Sequence, residues 1–267
     1  MISMDYGNFK IEVFDPLSLE EIKTSTKKYL EKVSGLLERI KDTQADSILK
    51  AATIVAESII NGGIIHTFGT GHSHMIAEEP CCRASTLMAV NAMLVPGLKA
   101  DTYATLSYEA ERLEGYAKHI LDYYKVSRKD VLIIISNSGR NAVPIEMAME
   151  AKTRGIKVVA ITSLDYSKAV PSRHSSGKKL YEIADIVIDN CCPLGEGLIN
   201  VEGVRVKVGP SSTVTGAAII HAIMVQATQN MVEKGVEPPV CMSGNLPGSD
   251  EYNKKFFDKY RNRIKIL

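Results

Sequence analysis

The chain has 267 residues, 45% of them apolar and 24% charged, the balance of a globular protein and not of a disordered one. Thirty-two Lys and Arg stand against 31 Asp and Glu, a net charge of +1, too even for a general nucleic-acid binder. There is no run of about 20 apolar residues to cross a membrane, and Met1-Ile-Ser-Met-Asp-Tyr6 has neither the basic nor the apolar stretch of a secretory signal.

Residues 1 to about 16 read as an extended arm, and 17 to 41 as a helix with many exposed charges. Asp42-Thr43 reads as a break before a second helix, in which Ile48, Ala52, Val55 and Ile59 recur every three or four residues. Asn61-Gly62-Gly63 ends that helix, because glycine accepts a left-handed C-terminal conformation. Ile64 to Phe68 is a short strand running into Gly69-Thr70-Gly71-His72-Ser73, and a helix is expected over 73–86. A further strand is expected near Leu87 to Leu94. Glu109, Glu111 and Glu114 follow as an acidic stripe, with Glu111 and Glu114 on one helical face.

The clearest unit is 130–163. Val131 to Ile135 is a continuous β-branched run, as in a strand covered on both faces. A polar turn, Ser136-Asn137-Ser138-Gly139-Arg140-Asn141, leads to a helix over about 142–154 that buries Val143, Met147 and Ala151. Lys157 to Thr162 is the next strand. This is a βαβ unit with a right-handed crossover. Residues 165–179, polar and Ser-rich, read as a long surface loop of the kind that forms a lid or an interface. Asp185 to Asp189 is another strand. A long helix over about 212–233 carries Ile219, Ile220, Ile223, Met224, Ala227 and Met231 on its buried side. In the basic tail, 250–267, Phe256, Phe257, Tyr260 and Ile264 form a stripe that docks on the body or on another subunit. The fold class is α/β, a parallel sheet between two helical layers with helical N- and C-terminal extensions.

Open parallel sheets bind ligands beyond the carboxyl ends of their strands, and both polar turns directly follow strands. Gly69 and Gly71 let the backbone approach a ligand. Ser73 is expected to cap the next helix, where free N–H groups favour an anion. Ser136 and Ser138 add hydroxyls beside Gly139, and Thr162-Ser163 end a third strand in the same way. Hydroxyls at three strand ends with few fixed cations suit a phosphate monoester held by neutral donors. A dinucleotide fingerprint fails on spacing, since its third glycine would fall at His74. His72 and His74 with Cys81 and Cys82 do not match zinc spacings, and no metal or other cofactor is expected. The five cysteines, four of them in the adjacent pairs Cys81-Cys82 and Cys191-Cys192, read as reduced thiols of a cytoplasmic protein rather than a disulfide framework.

Phe68-Gly-Thr-Gly-His-Ser73 and Ile135-Ser-Asn-Ser-Gly-Arg-Asn141 resemble the two signatures of the SIS (sugar isomerase) phosphosugar-binding domain, and Leu180-Tyr-Glu-Ile-Ala-Asp-Ile-Val-Ile188 resembles its entry to the last strand. The nearest likeness is to a small branch of that family without an assigned activity. The resemblance implies a five-stranded parallel sheet in an α/β/α sandwich. It implies a phosphosugar domain over 44–235, preceded by an arm and helix (1–43) and followed by a docking or oligomerisation tail (236–267). It places Ser73, Ser136, Ser138 and Asn141 on phosphate-binding positions; the insertion at 165–179 departs from it.

Ala77-Glu78-Glu79 is similar to the Ala-Glu-Glu of phosphoheptose isomerases, whose second Glu is the base, which implies Glu79. His221 on the long helix falls where those enzymes place their acid histidine, and a near-neutral pKa suits proton transfer. Glu109, Glu111 or Glu114 is the alternative base. Gly209-Pro-Ser-Ser-Thr-Val-Thr-Gly216 is similar to a segment of N-acetylmuramic acid 6-phosphate etherases, with Ser212 or Thr213 capping the helix toward a ligand. The implied activity is aldose–ketose isomerisation through an enediol. An etherase-like lyase and a phosphosugar sensor without turnover are the alternatives, although no helix-turn-helix accompanies the chain. SIS proteins commonly form dimers or tetramers with sites shared between subunits.

Overall fold

In the computed structural model, which describes residues 2–6, 9–13, 19–101 and 104–266, the N-terminal arm doubles back on itself. Strands β1 (Ile2–Tyr6) and β2 (Phe9–Val13) pair antiparallel, Ile2 opposite Val13, so extended backbone satisfies its own polar groups. The two expected N-terminal helices are one, α1 (Leu19–Ile60), 42 residues long. Asp42-Thr43 does not break it. The Thr43 hydroxyl donates to the Arg39 carbonyl one turn back at 2.7 Å, so the residue read as a breaker bonds within the helix. One apolar seam, Ile40, Ala51, Ala52, Val55, Ala56 and Ile59, runs along it into the core. The boundary between residues 43 and 44 therefore falls inside α1.

Next come β3 (Ile65–Gly69), α2 (Ser73–Glu78), β4 (Val90–Ala92), α3 (Ala104–Ala110) and α4 (Tyr116–Tyr124). The helix expected to reach residue 86 ends at Glu78. Pro80 has no N–H to continue the ladder, and Cys82 and Ser85 take φ of 52° and 64°. The chain continues through β5 (Val131–Ile135), α5 (Ala142–Thr153), β6 (Lys157–Thr162), α6 (Leu164–Ala169) and β7 (Ile186–Asp189). The first part of the expected 165–179 loop is thus helical. Ser163 caps α6, its Oγ accepting from the Tyr166 N–H at 3.0 Å. A small hairpin, β8 (Gly197–Ile199) and β9 (Val208–Pro210), precedes α7 (Ser212–Glu233), and α8 (Ser249–Tyr260) closes the chain.

The five-stranded parallel sheet has the order β4-β3-β5-β6-β7, in register from Ile65 opposite Val131 to Gly69 opposite Ile135. Every residue of β3 and β5 is buried, as both faces are covered. One face carries α1, α2, α7 and α8, with Ile219, Ile220, Ile223, Met224, Ala227 and Met231 all in its core. The other carries α4 and α5, around Leu121, Met147 and Leu132. The tail stripe docks on the chain's own body, where Phe256, Tyr260 and Ile264 are buried and Phe257 partly so.

The amino ends of the central strands are tied to that tail. Asp130, with no exposed side-chain surface, accepts from the Ile64 N–H at 2.9 Å, the Ser127 N–H at 2.7 Å and Arg263 Nη2 at 2.9 and 2.7 Å. Its Oδ2 also lies 3.4 Å from Nε2 of the buried His66. Asn91 donates its amide to His66 Nδ1 at 3.2 Å, and its Oδ1 accepts from the Lys265 N–H at 3.1 Å. Among the described residues, no helix is long and apolar enough to cross a membrane.

Candidate functional site

From β3 the chain passes to β4 on one side and returns to β5 on the other, so the order reverses between β3 and β5. Crevices beyond the carboxyl ends of strands form at such reversals. A cleft of about 580 Å³ opens there, lined by the turns after both strands, the first turn of α7, Glu111 and the segment after α6.

The turn after β3 needs its glycines. A Cβ on Gly69 would lie 2.5 Å from the Ser73 carbonyl oxygen, and Gly71 has φ +53°. The cap of α2 is His72 and not Ser73, which is the helix's first residue; both line the cleft, and the Thr70 hydroxyl donates to Glu111 Oε2 at 2.5 Å. His74 points away, its Nδ1 held 2.6 Å from the Gly71 carbonyl, and Cys81 Sγ donates to the Val90 carbonyl at 3.0 Å. The structure does not gather these two with His72 and Cys82 into a ligand set.

The turn after β5 leaves a run of backbone donors open. Gly139 has φ +57°. The N–H groups of Ser138, Gly139 and Arg140 find no protein acceptor among the described residues, an arrangement that binds anions. Ser136 and Ser138 also line the cleft. Asn141 begins α5 without a side-chain cap. Its Nδ2 donates to Glu111 Oε1 at 2.7 Å, and its Oδ1 accepts from Arg173 Nη1 at 3.0 Å. Two buried donors without a partner, Asn137 Nδ2 and Arg140 Nε, belong to this same turn.

The third turn does not join them. Thr162 Oγ1 donates to the Asn137 carbonyl at 3.2 Å and Ser163 Oγ to the Cys192 carbonyl at 2.6 Å, so both hydroxyls brace the sheet from beneath. Ser212 does reach the cleft, where its Oγ donates to Glu196 Oε2 at 2.7 Å. The cap of α7 is Ser211, so Ser212 and Thr213 lie within the first turn.

Glu79 and His221 come together, but not with the serines. Glu79 Oε1 lies 3.2 Å from His221 Nε2 and also pairs with Arg83. The two side chains are 36% and 35% exposed, on the outer side of α7 and outside the cleft lining. The acidic stripe is divided because α3 ends at Ala110. Glu109 pairs with Arg112 on the surface at 3.1 Å. Glu114 accepts from the Ser175 N–H and hydroxyl at 2.6 and 2.7 Å. Glu111 turns into the cleft. Burial pushes its pKa above the ordinary glutamate value, against the hydrogen bonds from Thr70 and Asn141 and the charge of Arg173.

A family model described as SIS domain matches residues 28–163. A UPF0309 protein of Geobacillus kaustophilus is 42% identical over 239 residues, covering 90% of this chain and 95% of that protein. One from Halalkalibacterium halodurans is 44% identical, covering 87% of this chain and 96% of that protein. The chain belongs to the SIS domain family. Two solved phosphoheptose isomerases share the SIS fold. The one from Francisella tularensis has a TM-score of 0.52 at 17% identity, covering 80% of this chain and 100% of that one. The one from Neisseria gonorrhoeae has a TM-score of 0.51 at 16% identity, covering 78% and 99%.

Sequence reasoning missed the cations of this SIS cleft, which was expected to hold its ligand with neutral donors. Arg112, Arg140 and Arg173 all line it. Arg140 was visible inside the second signature, whereas Arg173 arrives from the insertion, more than thirty positions away. Gly69→Ala should destabilise the protein by about 1–3 kcal/mol, because the Cβ meets backbone that cannot swing aside. Thermal denaturation measures this, and an unchanged midpoint would refute the close approach.

Proposed function

We propose that this SIS-domain protein binds a phosphorylated sugar and interconverts its aldose and ketose forms. One observation carries the reading: a half-buried carboxylate with a raised pKa, Glu111, lines the same cleft as the unpaired N–H groups and hydroxyls of the Ser136–Asn141 turn. The turn with Ser73 and Asn141 takes the phosphate. Glu111 then moves a proton between adjacent carbons through an enediol. The shared fold with phosphoheptose isomerases supports the reading.

The Glu79–His221 pair has a different place in it. Val214, Val225 and Val232 are exposed on the outer side of α7, a face suited to a second copy of the chain. In such a dimer or tetramer the pair would serve a neighbouring site. The free thiols suit a reducing cytoplasm.

A panel of hexose and heptose phosphates and their amino forms, N-acetylmuramic acid 6-phosphate included, selects a ligand in a thermal-shift assay, since binding stabilises the native state. Incubation of that ligand in D₂O should introduce deuterium at C1 or C2. Binding without deuterium uptake identifies a sensor. Release of a lactyl ether side chain identifies the lyase reading, which the presence of Ser212 and Glu196 in the cleft keeps in view. Ser138→Ala should weaken phosphorylated ligands about tenfold or more and leave their unphosphorylated counterparts unaffected; titration calorimetry compares the two, and equal losses would discredit the cradle.

A further inference from the structure

The segment that follows α6 is a strap fastened across the second turn. The Arg173 N–H donates to the Arg140 carbonyl at 2.8 Å, and the Leu180 N–H to the Gly139 carbonyl at 3.0 Å. Farther out, Ser175 is held by Glu114 through its N–H and hydroxyl. His174 Nε2 stands 3.5 Å from Glu146, which itself accepts from the Gly115 N–H. The Ser172 hydroxyl closes the strap on the Lys178 carbonyl at 2.7 Å. A segment pinned at so many points serves to place a side chain, and the side chain it delivers to the cleft is Arg173.

Arg173 and Arg140 stand together. Burial and the charge of Arg173 both make the cationic form of Arg140 harder to hold. Among the described residues neither guanidinium has a carboxylate within ion-pairing distance, whereas Arg112 has Glu109. The carboxylates that line the cleft are already engaged, Glu111 accepting from Thr70 and Asn141 and Glu196 from Ser212. Arg140 Nε is buried without a partner. Two adjacent, unneutralised guanidinium groups are costly unless an anion comes between them, and their forked donors match carboxylate and phosphate oxygens. The N–H cradle of Ser138 to Arg140 accounts for one phosphate without them.

Building on the phosphosugar reading, we infer that Arg140 and Arg173 form a second anion subsite, so that the ligand is a sugar phosphate bearing a further anionic group, a carboxylate or a second phosphate. The strap is then a specificity element that separates this ligand from simple sugar monophosphates.

The test is titration calorimetry on the full chain with three ligand pairs that differ by one anion. These are glucose 6-phosphate with 6-phosphogluconate, fructose 6-phosphate with fructose 1,6-bisphosphate, and N-acetylglucosamine 6-phosphate with N-acetylmuramic acid 6-phosphate. In at least one pair the more anionic member should bind about tenfold tighter or better. Which pair responds distinguishes carboxylate from phosphate. Arg173→Gln and Arg140→Gln should shrink that ratio to about threefold or less, while Arg173→Lys keeps part of it. Melting of each unliganded variant near the wild-type temperature shows that it folds. A ratio near one in every pair overturns the inference, as does an equal loss for both members in the arginine variants, which would assign the arginines to the single phosphate. Failure of the underlying reading looks different: either no ligand of any pair binds, or Ser138→Ala, expected to weaken both members alike, affects neither.

Discussion

Glu111→Gln is expected to slow carbon-bound proton exchange by about 10²–10⁴-fold, the range supplied by a positioned general base, while the phosphorylated ligand still binds. The base must be ionised to work. Because burial raises the Glu111 pKa above 4.5, the acid limb of the wild-type kcat/KM profile should lie above the ordinary glutamate range, with activity falling as pH drops through it. That limb should vanish in the variant. Stability moves the other way. A carboxyl group whose folded pKa is raised contributes most below its unfolded pKa, and the contribution is lost as pH rises through the folded value. At pH 8 the ionised, half-buried Glu111 is therefore a burden that Gln removes. The Thr70 hydroxyl can turn from donor to acceptor toward the new amide, so the melting temperature should not fall. Deuterium uptake followed by NMR, with melting curves on the same samples, decides the matter. Full exchange activity in Glu111→Gln would exclude Glu111, and the same loss in Glu79→Gln would return the role to the pair on the face of α7.

That choice between two glutamates shows where sequence legibility ends. Glu79 was favoured because Ala77-Glu78-Glu79 resembles the Ala-Glu-Glu of phosphoheptose isomerases. Pro80 ends α2 early, however, and the last turn presents Glu79 to His221 rather than to the serines. Glu111 belongs to neither signature, 38 residues after Ser73 and 24 before Ile135, and reaches the cleft only because the chain turns back after α3. The sheet was legible for the opposite reason. Val131 to Ile135 and Val158 to Ile161 are continuous apolar runs whose burial on both faces is a local property of the sequence. The length of α7 was legible too, since its apolar period is unbroken from Ile219 to Met231. The break read into α1 was an error of the same local method. Asp and Thr disfavour helix interiors on average, but Thr43 bonds to its own helix and the core holds the residues on either side. Arg173 of the strap was invisible because its charge acquires meaning only once the strap is fastened over the second turn.

Asp130→Ala should be the most destabilising single change away from the cleft, about 3–5 kcal/mol, as when one partner of a buried ion pair is removed. At about 2–4 °C per kcal/mol for a chain of this size, the midpoint would fall by roughly 6–20 °C. The loss is large because four groups depend on one carboxylate. The Ile64 and Ser127 N–H groups lose their acceptor, Arg263 loses its counter-charge, and the buried His66 loses the polar neighbour 3.4 Å from its Nε2. The wild-type pH dependence follows from the same cluster. Burial outweighs the carboxylate's pull and holds the His66 pKa below 6.5. Unfolded chains then take up a proton that the native state refuses, and stability declines as pH falls below about 6.5. Against the burial of Asp130, the nearby His66 and the hydrogen bonds from the Ile64 and Ser127 N–H groups prevail and hold it far below 3.8. Its contribution is full above 3.8 and is lost as the pH drops through the folded value, so a second, steeper decline should begin below about pH 4. Urea unfolding at pH 8, 6, 5 and 3.5 reads both steps, and a flat profile from pH 8 to 5 would show that His66 is not held neutral. Since this cluster ties the tail to the amino ends of the strands, opposite the cleft, Asp130→Ala should bind the sugar phosphate with wild-type affinity well below its melting point. A binding loss there would mean that the two ends of the sheet are coupled.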